Sequence, residues 1–317
     1  MILQAVLEAV VPVFGLILLG WICARKSWLA DAAAESLNRY VSCLALPALL
    51  FTGMARSDLS VLADSGLVAS FGLGTLATSL IYLWLSRRET IDATMRCIHA
   101  MSASYSNSGF MGIPLILIVF GTKTMSAAIV ICILTAGALF AVTIIAIETV
   151  RSRGHNLMAT VGKVLGSLLR NPILMAPVIG LAFAGTQVHL PSTLERILDL
   201  LAASATPCAL ISIGLFLVQS TSGSTAQRGI VQLVWLKLLA HPLLVWVFAF
   251  HVFTVDPTSA WIAVMAAALP VGTGPFMLAS LYRQQAHTSA RVIMVSTVLS
   301  AVTLSFLIGW LNYKGVV

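Results

Sequence analysis

Ten apolar segments occupy most of the chain: residues 5–24, 33–55, 65–86, 95–120, 124–148, 165–185, 194–219, 229–253, 259–282 and 289–312. A helix needs about 20 apolar residues to cross the hydrocarbon core of a bilayer, and every one of these segments is long enough. What remains is short connections, with no room for a sizeable soluble domain. The composition agrees. Of 317 residues, 59% are apolar and 9% charged, against roughly 25% charged in a soluble domain. So few charges cannot cover a water-exposed surface. The expected fold class is an all-α membrane protein with ten transmembrane helices. A soluble enzyme, a disordered chain and a fibrous protein are excluded.

The basic residues sort by side. Arg56, Lys123, Arg196 and Lys314 fall on one side, Arg39 lies inside the second segment, and the other 13 of the 18 lie in or beside loops that follow odd-numbered segments. Lys and Arg concentrate on the cytoplasmic side of membrane proteins. That places both termini outside, in a bacterial-type inner (plasma) membrane. The first cation, Arg25, follows the apolar stretch from Ala5 to Ala24. A cleavable signal peptide has its positive charge before the apolar run, so the first segment is read as a helix that enters from outside. There is no basic run and no interleaving of basic with aromatic residues, so nucleic acid is not an expected partner.

The halves of the chain echo each other. Pro12, Pro47 and Pro114 recur as Pro172, Pro207 and Pro275 at offsets of 160, 160 and 161, and Gly20 recurs as Gly180 at 160. A shift of 160 residues carries the first segment onto the sixth. Five segments is an odd number, so the second copy sits upside down. The expectation is one integral membrane domain over 1–317, built of two inverted five-helix repeats over 1–150 and 160–317. The polar, basic stretch 151–164, with Gly154, joins them. Inverted repeats are typical of secondary transporters.

Two segments carry helix-breaking clusters at their middles. The fourth contains Ser104-Tyr105-Ser106-Asn107-Ser108-Gly109-Phe110-Met111-Gly112-Ile113-Pro114, and the ninth Ala268-Leu269-Pro270-Val271-Gly272-Thr273-Gly274-Pro275-Phe276. Pro removes an amide donor and clashes with the preceding turn, and Gly eases non-helical dihedrals. In lipid, such breaks survive only inside protein or around a wet cavity. A half-helix that starts at a break points its free amides, and their partial positive charge, at the midplane. Two breaks brought together by an inverted repeat would make an anion site without a buried cation. The candidate substrate-binding residues are Asn107, Ser108, Gly109, Gly112, Pro114, Pro270, Gly272, Thr273, Gly274 and Pro275, with Ser104 and Ser106 as further hydroxyls. Packing kinks are the simpler explanation of one break; two at repeat-equivalent places favour a site.

Other chemistry is sparse. Lys237 either snorkels to the cytoplasmic surface or, with His241, attracts the anion or relays a proton. Glu8 lies near the outer end of the first segment, and Glu148, close to Arg151, is read as interfacial. Cys23, Cys43, Cys97, Cys132 and Cys208 show no paired spacing and are read as small packing residues. Cys97-x-His99 is too isolated for a metal site, so no metal and no cofactor are expected. There is no phosphate-binding GxxxxGK[ST] string and no GxSxG. Transport without catalysis is the expected activity.

These residues resemble the auxin efflux carrier family, which includes the plant PIN proteins and bacterial relatives described as malonate transporters. The strings are Leu44-Ala45-Leu46-Pro47-Ala48-Leu49-Leu50-Phe51, Asn107 to Leu115 (N-x-x-x-M-G-I-P-L), Arg170-Asn171-Pro172, and Leu269 to Phe276 (L-P-x-G-x-x-P-F). The second and fourth are fairly specific, and the match runs from the first segment to the tenth. The resemblance implies a fold like that of sodium/proton antiporters, with segments 4 and 9 crossing at their breaks. It implies a scaffold of segments 1, 2, 6 and 7 that also forms a homodimer. Segments 3–5 and 8–10 would carry the substrate in an elevator-like slide. Asn107 would contact a substrate carboxylate, with Pro114 and the Pro270–Pro275 stretch shaping the crossover. Many bacterial relatives place a polar residue, often Asn, in the second crossover; here Thr273 stands between Gly272 and Gly274.

The function read from the sequence is secondary transport of small organic anions, with the lipid bilayer and a second copy as partners. A sodium-coupled symporter of the bile-acid type, or a non-transporting membrane sensor on the same fold, are the alternatives.

Overall fold

The computed structural model describes the chain apart from residues 1, 31, 57–63, 152–161, 163–164, 167–168, 187–189, 220–226, 285 and 317. Most of the connection between the second and third segments, and of the 151–164 linker, lies outside the described residues. Among those described, the fold is all-helical, with a single isolated β-bridge.

The helices are α1 (Ile2–Arg25), α2 (residues 33–55), α3 (Ser65–Arg88), α4 (Ala93–Ser102), α5 (Ser108–Phe120) and α6 (Thr122–Arg151). After the linker come α7 (Pro172–Ala184), α8 (Ser192–Val218), α9 (Gly229–Val252), α10 (Pro257–Ala268), α11 (Gly274–Leu281) and α12 (Ala286–Tyr313). Thus α4 and α5 are two halves of the fourth apolar segment, and α10 and α11 two halves of the ninth. Five helices, α3, α6, α8, α9 and α12, are each long and apolar enough to cross a membrane. Large apolar side chains stand on the outside of the bundle: Phe306 is 77% and Val302 70% exposed, as suits a surface facing lipid.

Short polar side chains start several helices. The Asp92 carboxylate accepts from the amides of Thr94 and Met95 at the head of α4, and Asp256 accepts from Thr258 and Ser259 at the head of α10. Asp64 and Asn171 do the same for α3 and α7. Each such cap contributes about 1 kcal/mol. The caps of α4 and α10 stand in corresponding places ahead of the two breaks.

Three prolines follow a π-helical turn. The turns Val41–Ala45, Ser108–Gly112 and Leu236–Ala240 end two residues before Pro47, Pro114 and Pro242. A proline inside an α-helix leaves one carbonyl unpaired and pushes its ring against the preceding turn. A widened turn absorbs that clash without ending the helix.

Close backbone approach fixes two helix pairs. Gly20 of α1 lies against the backbone of Ile211 in α8, where a Cβ would collide with the Ile211 carbonyl. Gly180 of α7 lies on the backbone of Phe51 in α2, where a Cβ would sit 2.5 Å from the Phe51 carbonyl oxygen. The main core runs between the groups of helices, through Ile17, Leu50, Met111, Ile129, Ala263 and Leu304, all buried. At the far end of α2, Arg56 pairs with Glu195 at 3.3 Å and Asp199 at 2.9 Å. The hydrogen bond it donates to Asp199 holds the Arg56 guanidinium above the ordinary arginine pKa. Being half exposed, the cluster contributes little to stability.

Candidate substrate site at two helix breaks

The first break falls over residues 103–107. Helix α4 ends at Ser102, and the carbonyls of its last turn are taken by nearby amides: His99 O accepts from Ala103, and Met101 O from Ser104 and Tyr105. The second falls over residues 269–273, between α10 and α11. The two unwound strands meet as an antiparallel bridge at Ser106 and Val271. The Asn107 amide donates to Pro270 O at 2.9 Å, and the Gly272 amide donates to Tyr105 O at 3.1 Å. Val271 donates to Ser296 Oγ at 3.1 Å. Backbone groups that a break would otherwise strand are thus paired across it, as burial requires. The Tyr105 ring lies on the two glycines of the second break. A Cβ at Gly272 would be 2.9 Å from its Cε1, and one at Gly274 would be 2.5 Å from its Cζ.

Both downstream halves begin here. The Asn107 carbonyl accepts from Met111 and Gly112, the latter at 2.9 Å, opening α5 as a π-turn. The amides of Ser108, Gly109 and Phe110 therefore have no partner inside the helix. Thr273 O accepts from Met277 and opens α11. The Asn107 side chain does not cap its own helix, which leaves its amide group for the space in front of it.

That space is a cavity of about 450 Å³. Asn107, Ser108, Gly109, Gly272 and Thr273 line it, joined by Asn38 and Ser42 from α2, Tyr105, and Arg170 and Asn171 ahead of α7. A neighbouring cavity of about 350 Å³ shares Asn38, Asn107, Phe110, Thr273 and Met277 and adds Glu35, Ser212 and Phe216. Asn107 and Thr273 therefore face both. A third cavity, of about 600 Å³, lies at the other end of α2 between Arg56, Lys123 and Asp199.

Five of the ten residues expected at the site line the main cavity; the rest lie behind it. Gly112 packs on the Leu269 side chain. Pro114 is buried within α5, just past the π-turn that opens the helix, and does not mark the break. Pro270 supplies the bridging carbonyl. Pro275 follows Gly274 in the first turn of α11.

Lys237 does not snorkel. It is fully buried, and its Nζ donates to Ala267 O at 2.5 Å and Leu269 O at 2.6 Å. His241, equally buried, has Nε2 at 3.1 Å from Thr75 Oγ1. Neither residue is among those lining the two cavities at Asn107. Glu148 accepts from Tyr282 Oη at 2.8 Å, and the Arg151 guanidinium covers the Tyr282 ring. Asn38 and Ser42 carried no sequence signal of a role, being polar residues within an otherwise ordinary segment. Arg170 and Asn171 stood in a family-like string with no role attached.

Known proteins give the chain its place. The family described as membrane transport protein matches residues 5–308. The chain is 29% identical over 308 residues to the "Putative malonate transporter" of Rhizobium meliloti (strain 1021), covering 94% of this chain and 93% of that one. It is 29% identical over 317 residues to an "Uncharacterized transporter" of Methanothermobacter thermautotrophicus, covering 96% and 98%. It is also 24% identical over 322 residues to the "Lysosomal cholesterol signaling protein" of Mus musculus, covering 96% of this chain and 37% of that protein. With both breaks and nearly all of the bundle inside the matched region, the chain belongs to the auxin efflux carrier family of membrane transport proteins.

Proposed function

We propose that the protein is a secondary transporter of small organic anions, carboxylates of the malonate or auxin-like kind, bound where α5 and α11 begin. One observation carries the reading: the helix starts at Asn107 and Thr273 face one cavity, with free amides at the first and an uncommitted side-chain amide at Asn107. Helix N-termini favour carboxylates without a buried cation. The name of the Rhizobium relative agrees with a dicarboxylate.

The proposal includes ten crossings in two inverted repeats, with the broken helices crossing at the bridge. In support, the Gly20–Ile211 contact becomes the Gly180–Phe51 contact when the numbers shift by 160. The bridge bonds Asn107 to Pro270 and Gly272 to Tyr105 exchange in the same way at a shift of 165. We place α1, α2, α7 and α8 in a fixed scaffold that carries the homodimer contact. Their mutual packing, and the packing of α10 on α3, α6 and α12, support that division. The remaining helices slide as an elevator. Asn38 and Arg170 lie at the end that positive charge assigns to the cytoplasm, so the cavity faces inward.

The test is current on a solid-supported membrane carrying proteoliposomes, with a panel of mono- and dicarboxylates, backed by radiolabel exchange. Saturable anion entry, lost in Asn107→Ala, is the expected result. Neither current nor exchange with any carboxylate, from folded protein, overturns the reading.

A further inference from the structure

The carbonyls that end α10 are held by a side chain. Ala267 O and Leu269 O lie at the mouth of the second break, where the helical ladder stops and partial negative charge gathers. Their partner is the ammonium of Lys237, at 2.5 and 2.6 Å. Lys237 reaches them from the π-turn Leu236–Ala240 of α9 and has no exposed surface. Among the described residues it pairs with no carboxylate. The groups it bonds are neutral oxygens of a broken helix. That is the ligand set which, in carriers with discontinuous helices, coordinates a coupling cation. Near the first break the end of α4 is met by a neutral group: Ala100 O accepts from the hydroxyl of Ser79 on α3, which also bonds Ser104 Oγ.

We propose that Lys237 is a built-in cation that takes the place of a coupling Na⁺ at the second break. A mobile cation would bind these carbonyls in one stage of the cycle and leave in another, linking flux to its own gradient. A tethered ammonium neutralises the same carbonyls at every stage, so transport needs no external monovalent cation. The inference rests on the anion-carrier reading for its role in transport, while the cation replacement itself is independent of any substrate.

The experiment separates the two. Thermal unfolding of the purified full-length protein is followed at matched ionic strength in choline chloride, NaCl and methylammonium chloride, with no carboxylate present. Wild type is expected to unfold at the same temperature in all three. Lys237→Ala, which leaves both carbonyls unpartnered and empties the space of Cγ, Cδ, Cε and Nζ, is expected to unfold roughly 5 °C lower in choline. It should recover at least half of that loss in Na⁺ or methylammonium. A variant that matches wild type in choline, or one equally destabilised in all three salts, overturns the proposal. So does a wild-type protein that Na⁺ stabilises over choline, and this arm decides alone if Lys237→Ala does not fold. Should the carboxylate panel show transport, replacing Na⁺ by choline should leave the wild-type rate unchanged within twofold. Cation-independent stability with no transport would count against the anion-carrier reading and leave the role of Lys237 standing.

Discussion

Gly180 rests on the carbonyl of Phe51, and 160 residues earlier in the one and later in the other, Gly20 rests on that of Ile211. In each case the other helix's backbone occupies the volume of a side chain. Approach this close is how helices associate where lipid offers no hydrophobic drive. Neither partner can yield by turning a side chain, because the obstructing atoms are backbone. Gly20→Ala and Gly180→Ala should therefore each lower stability by about 1–3 kcal/mol, seen as reduced melting temperature of the purified protein. Gly72, around which there is open space, serves as the control, and Gly72→Ala should be neutral or slightly stabilising. Equal behaviour of all three variants would contradict the packing described.

Asn107 has its backbone and side chain assigned to different tasks. Its amide and carbonyl tie the bridge and open α5, while its side chain faces the cavity. Asn107→Ala keeps the backbone bonds and removes only the cavity-facing group. A hydrogen bond to a charged ligand is worth about 1.5–3 kcal/mol, so malonate affinity should fall about 10-fold or more with the melting temperature held within a degree or two. Isothermal titration of both proteins checks this. An unchanged affinity would remove Asn107 from the site.

The breaks were legible because their cause is local. Gly272, Gly274, Pro270 and the Ser104–Ser108 run oppose a helix whatever surrounds them. The pairing of the breaks followed from the repeat offset. The exact role of Pro114 was not legible. Read alone it is a helix breaker, but the π-turn ahead of it lets α5 run on, and that turn depends on the Asn107 carbonyl being fixed by the bridge. Lys237 was ambiguous for a related reason: a long cation in an apolar segment can reach either the surface or a broken helix end. Only the position of α10 beside α9 decides between them. Asn38 and Arg170 join the cavity from segments far apart in the chain, and nothing in their neighbourhood announces it.

Pro114 and Pro275 therefore predict different things. Pro275 sits in the first helical turn of α11, where its missing amide costs nothing, so Pro275→Ala should leave the fold intact and change melting temperature little. Pro114→Ala restores a donor that can let the π-turn Ser108–Gly112 tighten into a regular α-helix. That would rotate Ser108 and Gly109 relative to the cavity. Malonate affinity should fall in Pro114→Ala by at least threefold while helical content by circular dichroism stays constant. The opposite ranking of the two variants would show that the π-turn is not what orients the site.

Arg170, just ahead of α7, is the only cation among the described residues lining the main cavity. A monocarboxylate satisfied by Asn107 and the free amides of α5 has no further charge to offer it. A dicarboxylate does. A charge-assisted hydrogen bond is about twice as strong as a neutral one, so Arg170→Gln should weaken malonate about 10-fold and leave acetate unchanged within twofold. Because this guanidinium is exposed, the wild-type preference for malonate should shrink as ionic strength rises, and the variant should lack that salt dependence. Competition of both acids against radiolabelled malonate, on both proteins and at low and high salt, measures all eight affinities. Equal loss for the two acids would mean that Arg170 attracts anions in general and does not read the second carboxylate.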